Sequence, residues 1–447
     1  MINCREAIDF NNNSTVENFE RKVAAYAGTR YAILCSSGRS AIRFSLLALR
    51  TKNSDEIIIP DLSCEILPIT VVCSRMTPRF CDIENETLAL STETLAKVIN
   101  KNTKAVILVH PYGIPVDPSP IQEITKKNGA MLIEDASQAL GAGVNNKKVG
   151  SFGDVGIFSF YKFLNVNSGG IALTDNLQIA NLIRINRDKF EKSSFFALSL
   201  FSLTKLFSSN SRMLDAAFDM DNFYGKFRLR HGRKDFDINN GRLIANKRFH
   251  KLPLSQLPRN FTINQLMGYY QPYIRRKLEE LEIKSLSTSF DGLEKYLQER
   301  RKIIKMYEDN LIDKGLQKIM IPKNCSPSYF RYPILINEEK KRAEIIEKIA
   351  QKGFLVDSNY APLHTSSSAL ASENTNLKFS KSIYASKHLI PLPVSKRIIQ
   401  HFSRLPVTLG KHFLPHCAEI SANPKEIMEI ISIANCNDRL FHLSANN

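Results

Sequence analysis

The sequence predicts an α/β fold built on a mixed, mostly parallel, seven-stranded sheet flanked by helices. First, seven short apolar runs, rich in Ile, Val and Phe and bounded by Gly, Pro or Asp, fall between residues 31 and 174, as buried strands do. Second, gaps of roughly 20–25 residues between most of these runs leave room for crossover helices. Third, the 43% hydrophobic and 23% charged residues are ordinary for a globular protein.

The elements follow in chain order. Ser14 and Glu17 form a capping box that predicts a helix, which Gly28 ends. The predicted strands of the sheet are Tyr31–Cys35, Glu56–Pro60, Arg79–Ile83, Ala105–His110, Ala130–Glu134, Val155–Phe160 and Gly170–Thr174. Later helices are predicted at 177–189, 262–283, 290–313, 338–352 and 425–434, with a strand from Tyr329 and a turn at 390–393. We therefore divide the chain into a large domain core (1–189), an insertion (190–260), and a helical connection with a small α+β C-terminal domain (261–447).

The composition excludes several classes of protein. A chain of 447 residues with 19 Gly, 19 Pro and 8 Cys is neither disordered, collagen-like nor disulfide-stapled. No apolar run reaches the roughly 18 residues of a membrane span, and the N-terminus is not a secretory signal. The cysteines form no Cys-x-x-Cys pair and no zinc-type cluster with histidine. We expect a cytoplasmic, reduced protein without a metal.

The charge is concentrated in the second part of the chain. The formal net charge is +17, of which residues 1–170 contribute +1 and the remainder +16. Lys226–Lys251 holds nine basic and two acidic residues, and the apolar stretch Phe195–Phe207 lies nearby. This pairing favours peripheral contact of 195–251 with an anionic membrane, at its inner face. A nucleic-acid partner is disfavoured, since aromatic residues do not interleave with the charges.

Two segments are suited to binding a charged ligand. Ser36-Ser37-Gly38-Arg39-Ser40 follows a predicted strand and opens a helix, where free N–H groups and the helix dipole attract phosphate. An ordinary Ser-capped turn is the alternative. Asp135 stands at the end of a hydrophobic strand, where α/β sheets place ligand-binding residues. Its carboxylate could pair with a cationic ring nitrogen or merely cap a helix.

Two further segments follow. A strand delivers Ser159, Tyr161 and Lys162 at its exit, and a lysine in a dry pocket can lose its proton and act as a nucleophile. A surface lysine is the alternative. At Gly169-Gly170 the backbone must approach another group closely.

Together these segments resemble the DegT/DnrJ/EryC1/StrS family of pyridoxal-phosphate (PLP) sugar aminotransferases, which have the aspartate-aminotransferase fold (fold type I). The motifs that carry the resemblance are FERKVAAYAGTRYAILCSSGRSAI, DEIIIPDLSCE, KAVILVHPYGIPVD, LIEDASQALGA and KKVGSFGDVGIFSFYK followed by SGG. They run from Phe19 to Asp175, and looser matches occur at YFRYPILIN, KGFLVDSNYAPLH and LIPLPVS. The insertion 190–260 has no counterpart that we can place.

The resemblance implies a role for each matched position. Lys162 would hold the cofactor covalently and later carry a proton, and Asp135 would pair with the pyridinium nitrogen. Gln138 would contact the ring or its phenolic oxygen, and Ser159 and the N–H groups of Gly38 and Arg39 would hold the phosphate. The cofactor-binding residues implied are Ser37, Gly38, Arg39, Cys64, Asp135, Gln138, Ser159 and Lys162.

This chain departs from the family pattern at the lysine. Most members have three residues between FSF and Lys, whereas here only Tyr161 stands between them. Counting back from Gly169-Gly170 restores the usual spacing to Lys162, while an ungapped alignment puts Leu164 at the lysine position. Three other family positions also differ: Arg39 replaces a Thr, Cys64 replaces the stacking aromatic residue, and Ser168 replaces a Glu.

Substrate-binding candidates are fewer. His110 and Tyr112 follow a predicted strand, and Tyr360 and His364 come from the predicted small domain. A structural role is the alternative for His110. We interpret Arg300-Arg301 as a solvated helix face.

The resemblance implies a cytoplasmic homodimer with shared active sites that aminates a nucleotide-linked keto-sugar, with glutamate as amino donor, for polysaccharide or glycan biosynthesis. A PLP-dependent sugar dehydratase is one alternative, although those relatives usually have His in place of the lysine. A non-catalytic sensor or partner protein is the other, motivated by Cys64, Ser168 and the shifted Lys162.

Overall fold

A computed structural model describes residues 14–49, 55–164, 166, 168–191, 236–237, 242–243, 277–311, 316–351, 360–366 and 378–394. The helices are α1 Thr15–Ala27, α2 Gly38–Ala48, α3 Ile66–Cys73, α4 Thr92–Val98, α5 Ser119–Lys127, α6 Leu177–Phe190, α7 Glu280–Asp291, α8 Leu293–Leu311, α9 Glu339–Gln351, α10 Leu363–Ser366 and α11 Ser380–His388. The strands are β1 Tyr31–Cys35, β2 Glu56–Pro60, β3 Thr77–Cys81, β4 Thr103–Val109, β5 Met131–Asp135, β6 Gly143–Val144, β7 Lys147–Lys148, β8 Val155–Ser159, β9 Gly170–Thr174, β10 Phe236–Asp237, β11 Arg242–Leu243, β12 Gln317–Lys318, β13 Cys325–Ser326, β14 Arg331–Leu335 and β15 Leu389–Pro393. Single-turn 3₁₀ helices cover Pro111–Gly113 and Phe160–Lys162.

The central sheet confirms the predicted α/β class. Its seven strands have the order β1-β9-β8-β5-β4-β2-β3. Strands β3, β2, β4, β5 and β8 pair in parallel, whereas β9 is antiparallel to both β8 and β1. Since six strands share one direction, the carboxyl ends of β1, β5 and β8 meet at one edge, where α/β sheets bind ligands.

Local chemistry explains where the elements begin and end. Ser14 and Glu17 make both hydrogen bonds of the predicted capping box, and Gly28 ends α1 with φ 76°. Strands β4, β8 and β9 are almost wholly buried, as strands covered on both faces must be. The helices α2, α3 and α6 pack on one face of the sheet and α1 and α7 on the other.

The C-terminal segments form a second, smaller layer. Strand β14 pairs with both β12 and β15 in an antiparallel sheet, against which α8 and α9 pack. The predicted turn at 390–393 is wrong, because these residues belong to β15. The prediction of a turn rested on Pro391 and Pro393, which are uncommon inside strands. Strand β15 lies at the edge of its sheet, where a proline needs no N–H partner.

Other predictions lie beyond the described residues. These are the apolar and basic stretch 195–251 apart from the short strands β10 and β11, the helix segment 262–276 and the helix 425–434. The predicted domain boundaries therefore stay predictions. Among the described helices, none is long and apolar enough to span a bilayer.

Candidate active site

The phosphate turn, Ser36–Ser40, lies against Ser159, which ends β8, and Ser137, which follows β5. Ser37 caps α2 by accepting a hydrogen bond from the Ser40 N–H at 3.2 Å. A Cβ atom placed on Gly38 would lie 3.0 Å from Ser159 Cβ and 3.3 Å from Ser137 Oγ. The helix N-terminus and three serines thus converge, and such a site favours an anion. Ser137 was not among the predicted site residues, although it stands two positions after Asp135.

The pair Gly169-Gly170 is the group that approaches this turn. The Gly169 N–H donates to the Ser36 carbonyl at 2.8 Å. A Cβ atom on Gly170 would collide with the Gly38 nitrogen and the Ser37 carbonyl group. Only a glycine at position 170 therefore lets the backbone of β9 pack directly against the phosphate turn.

We expect Gly170→Ala to lower the free energy of unfolding by about 1–3 kcal/mol, since overpacking forces backbone shifts. Urea unfolding measures this change. Gly292→Ala is the matched control, because a Cβ there meets its neighbours at 3.5 Å or more. Equal stability of the two variants would contradict the close approach.

Glu191 lies beneath the same turn. Its Oε1 accepts a hydrogen bond from the Ser36 N–H at 2.8 Å, and only 4% of the residue is exposed. Burial raises the pKa of Glu191 to about 7, although Ser36 and Arg187 oppose the shift. The sequence analysis missed this residue because it assigned Glu191 to the insertion.

Asp135 ends β5, and Gln138 follows three residues later. Asp135 Oδ1 accepts the Ser137 N–H at 3.0 Å, which ties the carboxylate to the serine beside Gly38. Gln138 Oε1 accepts the Tyr112 N–H at 3.2 Å, and its Nε2 donates to the Tyr360 hydroxyl at 3.0 Å. The structure therefore brings Tyr360, from the C-terminal part, to two predicted site residues.

Tyr112 and Tyr360 also contact each other directly. Their rings are stacked, with centroids 5.9 Å apart. Tyr112 adopts φ 55°, which is uncommon for a residue with a side chain. Its carbonyl accepts the Phe330 N–H at 2.7 Å, so a strained turn joins the large domain core to the segment before β14.

Lys162 ends the 3₁₀ turn after β8. Its Nζ lies 5.6 Å from the centroid of the Phe330 ring. Burial raises the pKa of the Cys64 thiol, while the charges of Lys162 and Arg39 lower it. Leu164, the alternative lysine position, is fully buried in the core. Attachment of a cofactor at Lys162 therefore stays a prediction.

The structure does not bring His110 into the cleft. Its ring is fully buried, and Nδ1 accepts the Val116 N–H at 3.0 Å. Nε2 must then carry the proton, which it donates to Glu134 at 2.8 Å. Glu134 also accepts the Phe152 N–H at 2.9 Å. With both ring nitrogens engaged, His110 supports the fold and cannot contact a substrate.

His364 lies at the contact between α10 and the end of β2. Its backbone N–H and its Nδ1 each lie 2.8 Å from the carboxylate of buried Asp61. The ring stacks on Phe379 with centroids 4.4 Å apart, and 23% of the side chain is exposed. Asp61 therefore fixes the ring and leaves Nε2 as the atom that could contact a substrate.

The prediction of a solvated helix face at Arg300-Arg301 is correct for Arg301 and wrong for Arg300. Arg301 is 56% exposed and pairs with Glu294 at 2.7 Å. Arg300 is only 5% exposed, and its guanidinium donates to the Tyr329 and Lys162 carbonyls at 3.0 Å each. Helix periodicity could not separate two adjacent arginines in a strongly charged segment.

The residues at this edge fit PLP. The serine-lined helix N-terminus suits a phosphate, Asp135 suits a cationic ring nitrogen, and Lys162 offers an amine. In the part of the chain that the structure describes, no group of three or more side chains could hold a metal.

Known proteins share this arrangement of strands and motifs. The sequence profile of the DegT/DnrJ/EryC1/StrS aminotransferase family matches residues 3–217 and 261–401. The unmatched stretch, 218–260, falls within the predicted insertion, whose first part thus has a family counterpart.

Curated relatives match little more than a third of the chain. GDP-perosamine synthase of Vibrio cholerae is 36% identical over 163 residues, 36% of this chain and 44% of the relative. UDP-N-acetyl-3-dehydro-alpha-D-glucosamine 3-aminotransferase of Acidithiobacillus ferrooxidans is 34% identical over 168 residues, 37% of this chain and 46% of the relative. The match therefore spans less than half the length of these relatives.

Solved structures confirm the fold. A DegT DnrJ EryC1 StrS aminotransferase from Brucella abortus has a TM-score of 0.64 at 18% identity, covering 95% of this chain and 91% of that one. DesI, solved with its TDP-sugar product, has a TM-score of 0.64 at 18% identity, covering 98% and 88%. At this identity the likeness concerns the fold alone. With the profile match, it confirms that the chain belongs to the DegT/DnrJ/EryC1/StrS aminotransferase family.

Proposed function

We propose that this chain is a PLP-dependent aminotransferase that converts a nucleotide-linked keto-sugar into an amino-sugar. The observation that carries the proposal is the convergence of the phosphate turn, Asp135 and Lys162 at one sheet edge. Membership of the family supports the reaction type. The names of the relatives, which refer to GDP- and UDP-linked sugars, support the substrate class.

Each of these groups has a distinct task. When bound, PLP supplies the electron sink that amino transfer requires. The first turn of α2, with Ser137 and Ser159, would hold the phosphate. Asp135, oriented by the Ser137 N–H, would keep a proton on the ring nitrogen through its carboxylate charge. Lys162 Nζ would hold the cofactor and then carry a proton between substrate and cofactor.

The proposed substrate-binding residues are Tyr112, Tyr360 and His364. Gln138 orients the Tyr360 hydroxyl and Asp61 orients the His364 ring. Groups that are fixed in this way lose little entropy when a sugar binds. We assign the sugar hydroxyls to Tyr360 and His364, with Tyr112 as the ring against which Tyr360 stacks.

The finer parts of the proposal extend beyond the site. Glutamate as the donor, a homodimer with shared sites, a cytoplasmic location and a role in polysaccharide or glycan biosynthesis follow from the family resemblance. Contact of 195–251 with a membrane rests on charge and apolarity alone.

Two other functions make different predictions for the same site. A sugar dehydratase would use a proton carrier other than lysine, and the presence of Lys162 in the turn after β8 favours amino transfer. A non-catalytic sensor would need no oriented carboxylate, whereas Asp135 is held by the Ser137 N–H.

A turnover assay with an Asp135 variant tests the proposal. Wild-type protein given PLP, glutamate and a panel of GDP- and UDP-linked keto-sugars should yield an amino-sugar, detected by mass spectrometry. Asp135→Asn should lower the rate by about 10²–10³-fold, because a fixed charge at the reacting centre is lost. The exposed residue Asp117 provides the control Asp117→Asn, which should match wild type.

The other outcomes favour the alternatives. Loss of water from the sugar without gain of nitrogen would favour the dehydratase. No conversion with any sugar or donor, despite bound cofactor, would favour the sensor. Equal rates for Asp135→Asn and wild type would contradict the role of Asp135.

A further inference from the structure

Arg300 connects helix α8 to the backbone of Lys162. Its Nη1 donates to the Tyr329 carbonyl at 3.0 Å, and its Nη2 donates to the Lys162 carbonyl at 3.0 Å. The residue is 5% exposed. A buried guanidinium that spans two carbonyls fixes their separation, because its donors form a rigid, planar fork.

The same side chain supports the ring next to Lys162. The Arg300 guanidinium lies 4.7 Å from the centroid of the Phe163 ring. Phe163 in turn contacts Phe330, with centroids 6.2 Å apart, and Lys162 Nζ lies 5.6 Å from the Phe330 ring. Arg300 therefore contacts the Lys162 backbone directly, and through Phe163 it supports the Phe330 ring beside the Lys162 amine.

The position of Lys162 needs such support. The lysine ends a three-residue 3₁₀ turn, and such turns have poor hydrogen-bond geometry and little stability of their own. The side chain has many rotamers, and ordering them costs entropy. Reaction at the amine nevertheless requires its placement to within a fraction of an ångström.

We propose that Arg300 is a positioning residue that holds the Lys162 turn and the Phe330 ring in register, so that the lysine amine meets the cofactor carbon. This inference rests on the proposed function, since it takes Lys162 as the point of attachment. Arg300 itself contacts Lys162 through a backbone oxygen and is not assigned a chemical step.

Two cofactor forms separate positioning from general damage. PLP can bond to Lys162, whereas pyridoxamine 5′-phosphate has the same ring and phosphate but no aldehyde. The experiment measures the rate at which borohydride fixes PLP on the Lys162 peptide, and the Kd of pyridoxamine 5′-phosphate. Positioning by Arg300 acts on the first quantity and not on the second.

The variants are Arg300→Met, Arg300→Lys and the control Arg301→Met. We expect Arg300→Met to lower the fixation rate by about 10-fold or more while the Kd stays within about twofold. Arg300→Lys keeps the charge but loses the fork, so it should be intermediate. The exposed Arg301 should give wild-type values.

Other results would overturn the inference. A fixation rate in Arg300→Met within about twofold of wild type, or a parallel loss of pyridoxamine 5′-phosphate affinity, excludes a positioning role. Should Arg300→Met fail to fold, the same two criteria apply to Arg300→Lys. Fixation of PLP on Lys162 in the wild-type protein tests the proposed function separately, whatever the Arg300 variants do.

Discussion

Lys162→Ala should lower the rate of amino transfer by about 10³-fold or more, since it removes the covalent attachment and the proton carrier together. Lys162→Arg should be nearly as inactive, because a guanidinium keeps the charge but does not give up its proton. The phosphate turn and Asp135 do not contact this amine through any hydrogen bond in the described residues. Both variants should therefore still bind pyridoxamine 5′-phosphate.

The measurement is steady-state amino-sugar formation, with the visible absorbance of the cofactor recorded in parallel. Lys97→Ala is the control, because Lys97 is 63% exposed and pairs with Glu93 on the same helix. Turnover of Lys162→Ala within about tenfold of wild type would mean that another group carries the proton, and the assignment of Lys162 would fall.

The free energy of unfolding of the wild-type protein should fall as the pH rises, because Glu191 is buried. The substitution Glu191→Gln should abolish this fall. An unfolded glutamate has an ordinary pKa of about 4.3, whereas burial raises that of folded Glu191 to about 7. Below both values the carboxyl is protonated in both states and has no effect. Between them the unfolded chain ionises while the folded chain stays neutral, so the free energy of unfolding falls by about 1.4 kcal/mol per pH unit.

The loss should be complete just above pH 7, and it amounts to about 4 kcal/mol. Glutamine keeps an oxygen for the Ser36 N–H but cannot ionise. The stability of Glu191→Gln relative to wild type should therefore rise by about 4 kcal/mol between about pH 4 and pH 8. Urea unfolding at several pH values measures it, with the exposed Glu299 as the control Glu299→Gln. A difference that is independent of pH would contradict the burial of the carboxyl.

The fold was largely predictable because its strands are local, continuous and buried. The predicted spans Tyr31–Cys35, Glu56–Pro60 and Gly170–Thr174 match the structure at both ends. Strand β3 begins two residues before the prediction, since its first residue is exposed and carries no apolar signal. The capping box of α1 could also be predicted from the sequence, because its two hydrogen bonds join residues only three positions apart.

The sequence predicts site residues only where one short segment carries the chemistry. The phosphate turn and Asp135 are of this kind, and Gly169-Gly170 sets the predicted register of Lys162. Arg300 acts on a carbonyl 138 residues away and Glu191 on a backbone N–H 155 residues away. Such contacts arise from tertiary packing, and no local pattern encodes them.

His110 is a predicted site residue that the structure places in the core instead. Its place after a strand is typical of a site residue, yet its ring points into the core and bonds to Glu134 and the Val116 N–H. Only the direction of the side chain separates the two roles, and the sequence does not specify that direction.

Peptide mapping after borohydride reduction tests the central claim most directly. Protein given PLP is reduced, digested and examined by mass spectrometry for a peptide that carries the reduced cofactor. The account predicts one modified lysine, Lys162, and no modified peptide when Lys162 is replaced by alanine. Modification of a different lysine, or none at all with the cofactor bound, would contradict it.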